Sequence, residues 1–379
     1  MRTIFHNGHI HTGAETLNHH AVIITGTRIK EVRKGEGLDV HLEATADGPP
    51  TVIDLDGGHL APAFIDLQLY GGNGQLFSEH PSVAALEATY RYCLEGGAPY
   101  FQPTMATQAD DLIIAAIDAV KAYRQLGHKG VLGLHLEGPY INPAKRGAHL
   151  EAFIQRPETK KLEALLERAA GHLTMMTLAP ECSTSEIVAQ LLEAGVVISA
   201  GHTNATYAEA LEGFGWGIPV ATHLFNAMSP LSHRAPGMVG AILDKGVPVS
   251  VVADGHHVDF PVIGLAKKVL GDKLFLITDA VTENNRGTYQ HQLSGDKYVL
   301  PDGTLSGSAL TMIKAVQNCV EQIGIPLDEA LRMASLYPAR VMGLEARLGV
   351  IAPNKEASLV WFDNDYRVKK VFLAGEAVY

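Results

Sequence analysis

Residues 131–149, VLGLHLEGPYINPAKRGAH, constrain the fold more than any other stretch. A run rich in Val and Leu stops at a carboxylate, Glu137, and meets the turn pair Gly138-Pro139 at once. That pattern reads as a buried parallel strand whose last side chain is delivered into a site. Four later stretches repeat the plan: GVVISAGHT ends near His202, VATHLFNA near His223, VSVVADGHH near Asp254 and His257, and LFLITDA near Asp279. Apolar strands that each finish in a metal-capable or proton-transferring group describe the C-terminal face of an α/β barrel.

The strands FIDLQLY, PYFQPTM and HLTMMTLAPE complete that set. Helical periodicity separates most members: around residues 82–95, in ADDLIIAAIDAVKAYRQLG, around 158–169, in SEIVAQLLEAG, after Thr206, and in FPVIGLAKKVLG. The count reaches that of a (β/α)8 barrel, expected over residues 61–343. Residues 1–60 are short alternating runs broken by Gly and Asp, and residues 344–379 return to alternation. Neither piece closes a core alone, so both termini are expected to pair as one small β-sandwich domain. A chain of 379 residues exceeds the usual span of a single core, which agrees with two units. After Asp279, the Gly-rich VTENNRGTYQHQLSGDKYVLPDGTLSGS reads as a hairpin and loop over the barrel mouth. An amphipathic helix, ALTMIKAVQNCVEQIG, and a short helical pair ending near Gly343 follow.

Bulk properties narrow the partners. A formal charge of −11 argues against nucleic acid, whose phosphates need a basic face, and leaves a small phosphorylated ligand open. A hydrophobic share of 46% with 19% charged residues argues against disorder. No run approaches ~18 apolar residues, and MRTIFHNGHIHTG lacks a signal-peptide layout, so no membrane partner is expected. Cys93, Cys182 and Cys319 are too scattered for a CxxC site and read as reduced thiols of a cytoplasmic protein. His6, His9, His11, His19 and His20 alternate along the first strands and read as solvated imidazoles rather than ligands.

Glu137, His202 and His223 form a mixed set suited to a catalytic Zn²⁺ that keeps a position for water. Asp279 is placed to accept that water's proton. Any one of the four alone reads more readily as a rim residue capping a helix or bonding a loop amide; four at strand ends read as a constellation. His135 shares a face with Glu137 and reads as a group behind it. Asp254 is expected to orient a ligand, and His233 and His256 to be polar rim residues.

Together GLHLEGPYINPAKRGAH, ISAGHTNATY, ATHLFNAMSP, HRAPGMVGAI, VADGHHVDF, LITDA, DGTLSGSALTM and SLYPAR resemble the N-acetylglucosamine-6-phosphate deacetylase family of the amidohydrolase superfamily, in order and over nearly the whole chain. The resemblance implies a (β/α)8 barrel with a β domain from both termini. It also implies hydrolysis of the acetamide of N-acetyl-D-glucosamine 6-phosphate in amino-sugar catabolism. Glu137, His202 and His223 match the family's metal ligands, Asp279 its catalytic aspartate, and His149 the histidine that polarises the acetyl carbonyl. Asn226 and Ala227 match residues that receive the sugar phosphate, and Arg234 and His257 match phosphate-side and sugar-side contacts. Gln68, Gly138, Leu305 and Ser306 complete the substrate contacts on the same basis. A homodimer or tetramer is implied, with a neighbour reaching the phosphate end.

One departure bears on the metal count. Where many amidohydrolases carry His-x-His, FIDLQLYGG has Gln68 and Tyr70, neither a strong Zn²⁺ ligand. One divalent ion is therefore expected, Zn²⁺ first, with Fe²⁺ and Co²⁺ compatible. Gln68 either bonds the water at that ion or fills the barrel floor. Three rivals stand beside this reading: an N-acetylgalactosamine-6-phosphate deacetylase sharing every residue named, a two-metal cyclic-amide hydrolase disfavoured by the missing pair, and a catalytically inactive amidohydrolase-like binding protein.

Overall fold

The computed structural model describes residues 2–35 and 48–379, so residues 1 and 36–47 of the expected β module lie outside the described residues. Eight strands form one sheet: β1 (Ile65–Leu69), β2 (Tyr100–Met105), β3 (Leu134–Glu137), β4 (Leu173–Leu178), β5 (Val197–Ala200), β6 (Val220–Ala221), β7 (Val249–Val251) and β8 (Leu274–Leu276). Each neighbours the next in chain order. A parallel bridge between Leu69 and Ala280 brings the chain after β8 back to β1, with Asp279 N–H donating to Gln68 O (2.9 Å) and Tyr70 N–H to Ala280 O (2.8 Å). Closing the ring leaves no exposed edge. β1, β2 and β3 are buried at every residue, which is why they read as continuous apolar runs.

Helices α1 (Val83–Glu95), α2 (Asp110–Gln125), α3 (Thr159–Ala169), α4 (Ser185–Glu193), α5 (Tyr207–Gly215), α6 (Gly237–Lys245) and α7 (Phe260–Leu270) lie between the strands in sequence. α5 opens with a capping box, Thr206 and Glu209 exchanging side-chain and backbone bonds, as the Thr-x-x-Glu of TYAE allows. α6 escapes the periodicity because Gly237 and Gly240 lower its helix propensity and residues 237–242 are all buried, leaving no polar stripe. Gly240 is needed there, since a Cβ would lie 2.4 Å from Pro236 Cβ. The loop after Asp279 is a three-stranded antiparallel piece, Gln292–Ser294, Lys297–Val299 and Leu305–Ser308.

The terminal segments build two further sheets. One holds Arg2–His6, His20–Thr25, Arg28–Lys34 and Thr51–Asp54; the other holds His9–His11, Thr16–Leu17, His59–Pro62, Leu359–Phe362, Val368–Leu373 and Glu376–Ala377. Leu359 pairs opposite Pro62 and Phe362 opposite His59, so the second sheet is woven from both chain ends. Phe5, Val22, Ile24, Leu60, Leu359 and Phe372 share its core, and the rings of Phe5 and Phe372 meet edge-on at 5.0 Å. Each such buried side chain stabilises the sandwich by roughly 1.5–3 kcal/mol.

Contacts divide the chain into residues 66–92 with 101–310, and residues 1–65 with 93–100 and 311–379. The first of these units ends at residue 310, within the span 61–343 expected for the barrel. Helix α8 (Met312–Asn318) joins the second unit, with Ile313 N–H donating to Gly96 O at 3.0 Å.

His11 is buried rather than solvated. Its strand is paired on both sides, and its Nε2 lies 2.9 Å from His59 Nδ1 and its Nδ1 2.9 Å from Thr16 Oγ1. Burial, with His59 and His9 beside it, pushes the His11 pKa down to about 3. Folded His11 thus stays neutral while the unfolded chain takes up the proton below pH 6.5. Stability is then lost as pH falls from 6.5 toward 3, by up to about 1.4 kcal/mol per pH unit for this group. His11→Gln, which keeps a donor and an acceptor, should flatten the decline of the denaturation midpoint between pH 6.5 and 4.5. Equal pH slopes in the two proteins would remove His11 as its source.

Candidate active site

Glu137 is the last residue of β3, and His202, His223 and Asp279 follow the ends of β5, β6 and β8. These last three carry positive φ angles of 48°, 34° and 55°, a backbone region that residues with a Cβ seldom enter. Each costs on the order of 1–2 kcal/mol and persists because neighbouring bonds hold it. Ser250 Oγ accepts from His223 N–H at 2.8 Å, and Asp279 O accepts from Ser308 N–H at 3.0 Å.

The Glu137 carboxylate, 1% exposed, is where these side chains meet. Its Oε1 lies 3.2 Å from His202 Nε2, 3.1 Å from His223 Nε2 and 2.8 Å from Gln68 Nε2. Its Oε2 lies 2.9 Å from His149 Nε2 and accepts from the Tyr70 hydroxyl. Burial works against the ionised form, but His202 and His149 outweigh it and hold the Glu137 pKa well below the usual carboxylate range.

The two nearest imidazoles differ in what they present. His202 Nδ1 sits 2.9 Å from Lys145 O, which only accepts, so that nitrogen carries hydrogen and the neutral ring turns a lone pair on Nε2 toward Glu137 Oε1. A lone pair facing a carboxylate oxygen is repulsive unless a proton or a cation lies between. Without a cation the proton serves: burial opposes it, yet Glu137 raises the His202 pKa. His149 is the reverse. Its Nδ1 accepts from Thr107 N–H at 3.1 Å, and burial with His202 nearby lowers its pKa, so the neutral ring carries hydrogen on Nε2 and donates to Oε2. Glu137, His149 and His202 do offer atoms within 4.8 Å of one another. The tautomers differ nevertheless: neutral His202 presents a lone pair on Nε2, and neutral His149 presents a hydrogen there.

His223 Nε2 lies 3.1 Å from His202 Nε2 as well as from Oε1. Separations of 3.1–3.2 Å among the three atoms approach the edge of about 3.3 Å of a tetrahedron with bonds of about 2.0 Å, the Zn–N and Zn–O range. The residues therefore fit a divalent cation. His223 Nδ1 is buried without a hydrogen-bond partner among the described residues, whereas an imidazole that holds a metal usually has one there.

Gln68 lies under this group, 1% exposed. The Thr222 hydroxyl donates to its Oε1, which turns its NH₂ toward Glu137 Oε1, Asp279 Oδ1 (3.0 Å) and Tyr70 Oη (3.0 Å). One amide thus ties two carboxylates together at the place where a His-x-His pair is missing. Burial raises the Asp279 pKa above the ordinary carboxylate value, with Glu137 adding to the effect. His257 Nδ1 lies 2.6 Å from Asp254 Oδ2 and its Nε2 3.6 Å from Asp279 Oδ2, so Asp254 orients His257 rather than a cation.

A cavity of about 180 Å³ opens above, lined by Glu137, His149, His202, His223, His257 and Asp279. Asn226, Ala227, Leu305 and Ser306 line it too. Three expected contacts sit elsewhere. Gln68 lies below the lining; Arg234 is exposed outside it; Gly138 gives its N–H to Thr177 O (2.9 Å). Gly138 is fixed by crowding, since a Cβ would lie 2.1 Å from Thr107 Oγ1, and by its φ of 89°. Tyr70, Tyr289 and His291 line the cavity without having been singled out as contacts. Tyr70 follows β1 two residues after Gln68, a spacing that carried the signal; nothing periodic marks Tyr289 and His291.

Residues 60–378 match the amidohydrolase family. The chain belongs to that family. Residues 4–47 of this amidohydrolase match the NagA composite domain. It is 36% identical over 369 residues, 95% of this chain and 94% of the relative, to the N-acetylglucosamine-6-phosphate deacetylase of Haemophilus influenzae. It is 35% identical over 350 residues, 90% and 88% of the two chains, to an N-acetylgalactosamine-6-phosphate deacetylase of a Shewanella strain. The crystal structure of N-acetylglucosamine-6-phosphate deacetylase from Pasteurella multocida superposes with a TM-score of 0.93 at 36% identity, covering 100% of this chain and 99% of that one. The amidohydrolase is accordingly a hydrolase, and its family implies a divalent metal site.

The Thr222 hydroxyl fixes the amide orientation of Gln68, and through it the hydrogen bond to Glu137 Oε1. Thr222→Val should weaken Zn²⁺ binding by about 10–100-fold in competition with a chelator. An unchanged affinity would show that Glu137 does not depend on the orientation of Gln68.

Proposed function

We propose that this amidohydrolase removes the acetyl group of N-acetyl-D-glucosamine 6-phosphate, giving D-glucosamine 6-phosphate and acetate. The observation that carries the reading is the convergence of His202 and His223 on Glu137 Oε1, with Asp279 held alongside through Gln68. Glu137, His202 and His223 would hold one divalent cation, Zn²⁺ in our reading, with Fe²⁺ and Co²⁺ served by the same donors. Bound there, the cation supplies Lewis-acid polarisation and makes water a nucleophile near neutral pH.

The chain's own groups do the rest. His149, kept as the Nε2–H tautomer by Thr107, offers its hydrogen to the acyl carbonyl as charge builds on that oxygen. Asp279 takes the proton of the attacking water and returns it to the departing amine. Its raised pKa suits both halves of that task, because a stronger base accepts more readily and its acid still donates. Gln68 keeps Asp279 and Glu137 at a fixed distance while the proton moves. His257, steadied by Asp254, faces the sugar, and Asn226 and Ala227 receive its phosphate.

Arg234 lies outside the cavity of its own chain. The phosphate role expected for it belongs to a homo-oligomer, a dimer or tetramer, in which a neighbouring chain reaches that end of the site. We place the enzyme in the cytoplasm; no helix among the described residues is long and apolar enough to cross a membrane. The galacto epimer is the second reading, favoured by relatives at 35% and 32% identity that carry that name.

Zinc-loaded enzyme should release acetate from N-acetylglucosamine 6-phosphate in preference to the galacto epimer and to the unphosphorylated sugar. A higher kcat/KM for the galacto sugar would replace the first reading by the second. Asp279→Asn should lower kcat by about 10²–10⁴-fold while leaving metal content unchanged. A near-normal kcat would remove Asp279 as the base.

A further inference from the structure

We infer that Tyr70, Ala106, Val281 and Tyr289 form an acyl subsite that accepts an acetyl methyl and rejects longer acyl chains. The inference rests on the deacetylase reading above and deepens it by naming what limits the acyl group. All four residues line the catalytic cavity, and all four pack with Leu76 in one buried apolar cluster. They come from separate parts of the barrel mouth: the chain after β1, after β2 and after β8, and the insertion beyond Asp279.

The cluster lies on one particular side of Glu137. Tyr70 donates to Oε2, the oxygen that also takes the His149 hydrogen. The Tyr289 hydroxyl donates to Thr107 O, and Thr107 N–H fixes His149 Nδ1. The opposite oxygen, Oε1, faces His202 and His223, and Asn226 and Ala227 follow His223 in the chain. A substrate with its phosphate near Asn226 and Ala227 and its carbonyl at His149 therefore turns the carbon beyond the carbonyl toward Tyr70, Ala106, Val281 and Tyr289. An apolar wall is what a methyl needs there, since the groups beneath it are charged or hydrogen-bonding.

The wall has little room to yield. Tyr289 is held at three points: its N–H by Glu79, its hydroxyl by Thr107 O, and its C=O by Asn284 Nδ2 at 2.6 Å. Val281 donates its N–H to Ser308 O at 3.1 Å, and its methyl lies 2.6 Å from where a Cβ on Gly307 would sit. Ala106 N–H is held by Ser78 Oγ at 3.3 Å. A closely packed wall cannot absorb an extra methylene without shifting side chains out of their rotamers.

The test is kcat/KM of the zinc-loaded enzyme for the N-formyl, N-acetyl, N-propionyl and N-butyryl derivatives of glucosamine 6-phosphate, in wild type, Val281→Ala and Ala106→Val. Wild type should lose about 10–200-fold from acetyl to propionyl and more again to butyryl. Val281→Ala should raise the propionyl-to-acetyl ratio by about tenfold, and Ala106→Val should raise the formyl-to-acetyl ratio by about as much. A merely structural defect would lower all four substrates together and leave the ratios unmoved. Because the two variants act in opposite senses, misfolding of one leaves the other decisive. Ratios equal to wild type in the folded variants, with acetate still released, would overturn the subsite and leave the deacetylase reading standing. No deacylation of any derivative by wild type would overturn that reading, and the subsite with it.

Discussion

A carboxylate almost wholly withdrawn from water holds this site together. Removing such a charge from solvent costs several kcal/mol unless every lone pair finds a partner. Glu137 finds Gln68, His202 and His223 at one oxygen and His149 and Tyr70 at the other. The two oxygens are not equivalent. Oε1 meets an imidazole whose other nitrogen is already committed as a donor, which leaves a gap for a cation; Oε2 meets hydrogens, which leaves none. In the function proposed above, that asymmetry would separate the metal side of the cavity from the acyl side.

Closure of the barrel sets where the remaining groups stand. The bond from Asp279 N–H to Gln68 O joins the chain after the last strand to the first and brings the Asp279 carboxylate beside the amide that bridges it to Glu137. Below, His135 spans the interior from Leu67 O (3.0 Å) to Thr177 Oγ1 (2.8 Å), filling the row behind Glu137 with satisfied polar groups. Left-handed backbone at His202, His223 and Asp279 turns those side chains inward at the strand ends. The stability given up there is recovered in the closed sheet and the apolar sandwich.

Much of this was legible in the sequence because chemistry and periodicity coincide. Each apolar run ends on a residue whose side chain would be expensive in a core, so Glu137, His202, His223 and Asp279 announced a common rim. The pairing of the termini was legible because neither set of alternating strands closes a core alone. Features set by tertiary crowding were not. The glycines of α6 mask a buried helix, and the crowding of Gly138 against Thr107 leaves no trace in the local sequence. His11 looks like a surface imidazole but is enclosed by strands on both sides. Tyr289 and His291 sit in an insertion without period and reach the cavity through bonds to distant residues. The contacts that group the helices beyond Leu310 with the terminal segments are long-range and leave no local pattern.

Stepwise addition of Zn²⁺ to metal-stripped enzyme, with acetate release from N-acetylglucosamine 6-phosphate followed at each step, tests the central claim most directly. With Gln68 and Tyr70 in place of a second ligand pair, activity should rise linearly and reach its plateau at one equivalent per chain. A plateau only at two equivalents, or full activity in the stripped protein, would contradict a single cation held by Glu137, His202 and His223.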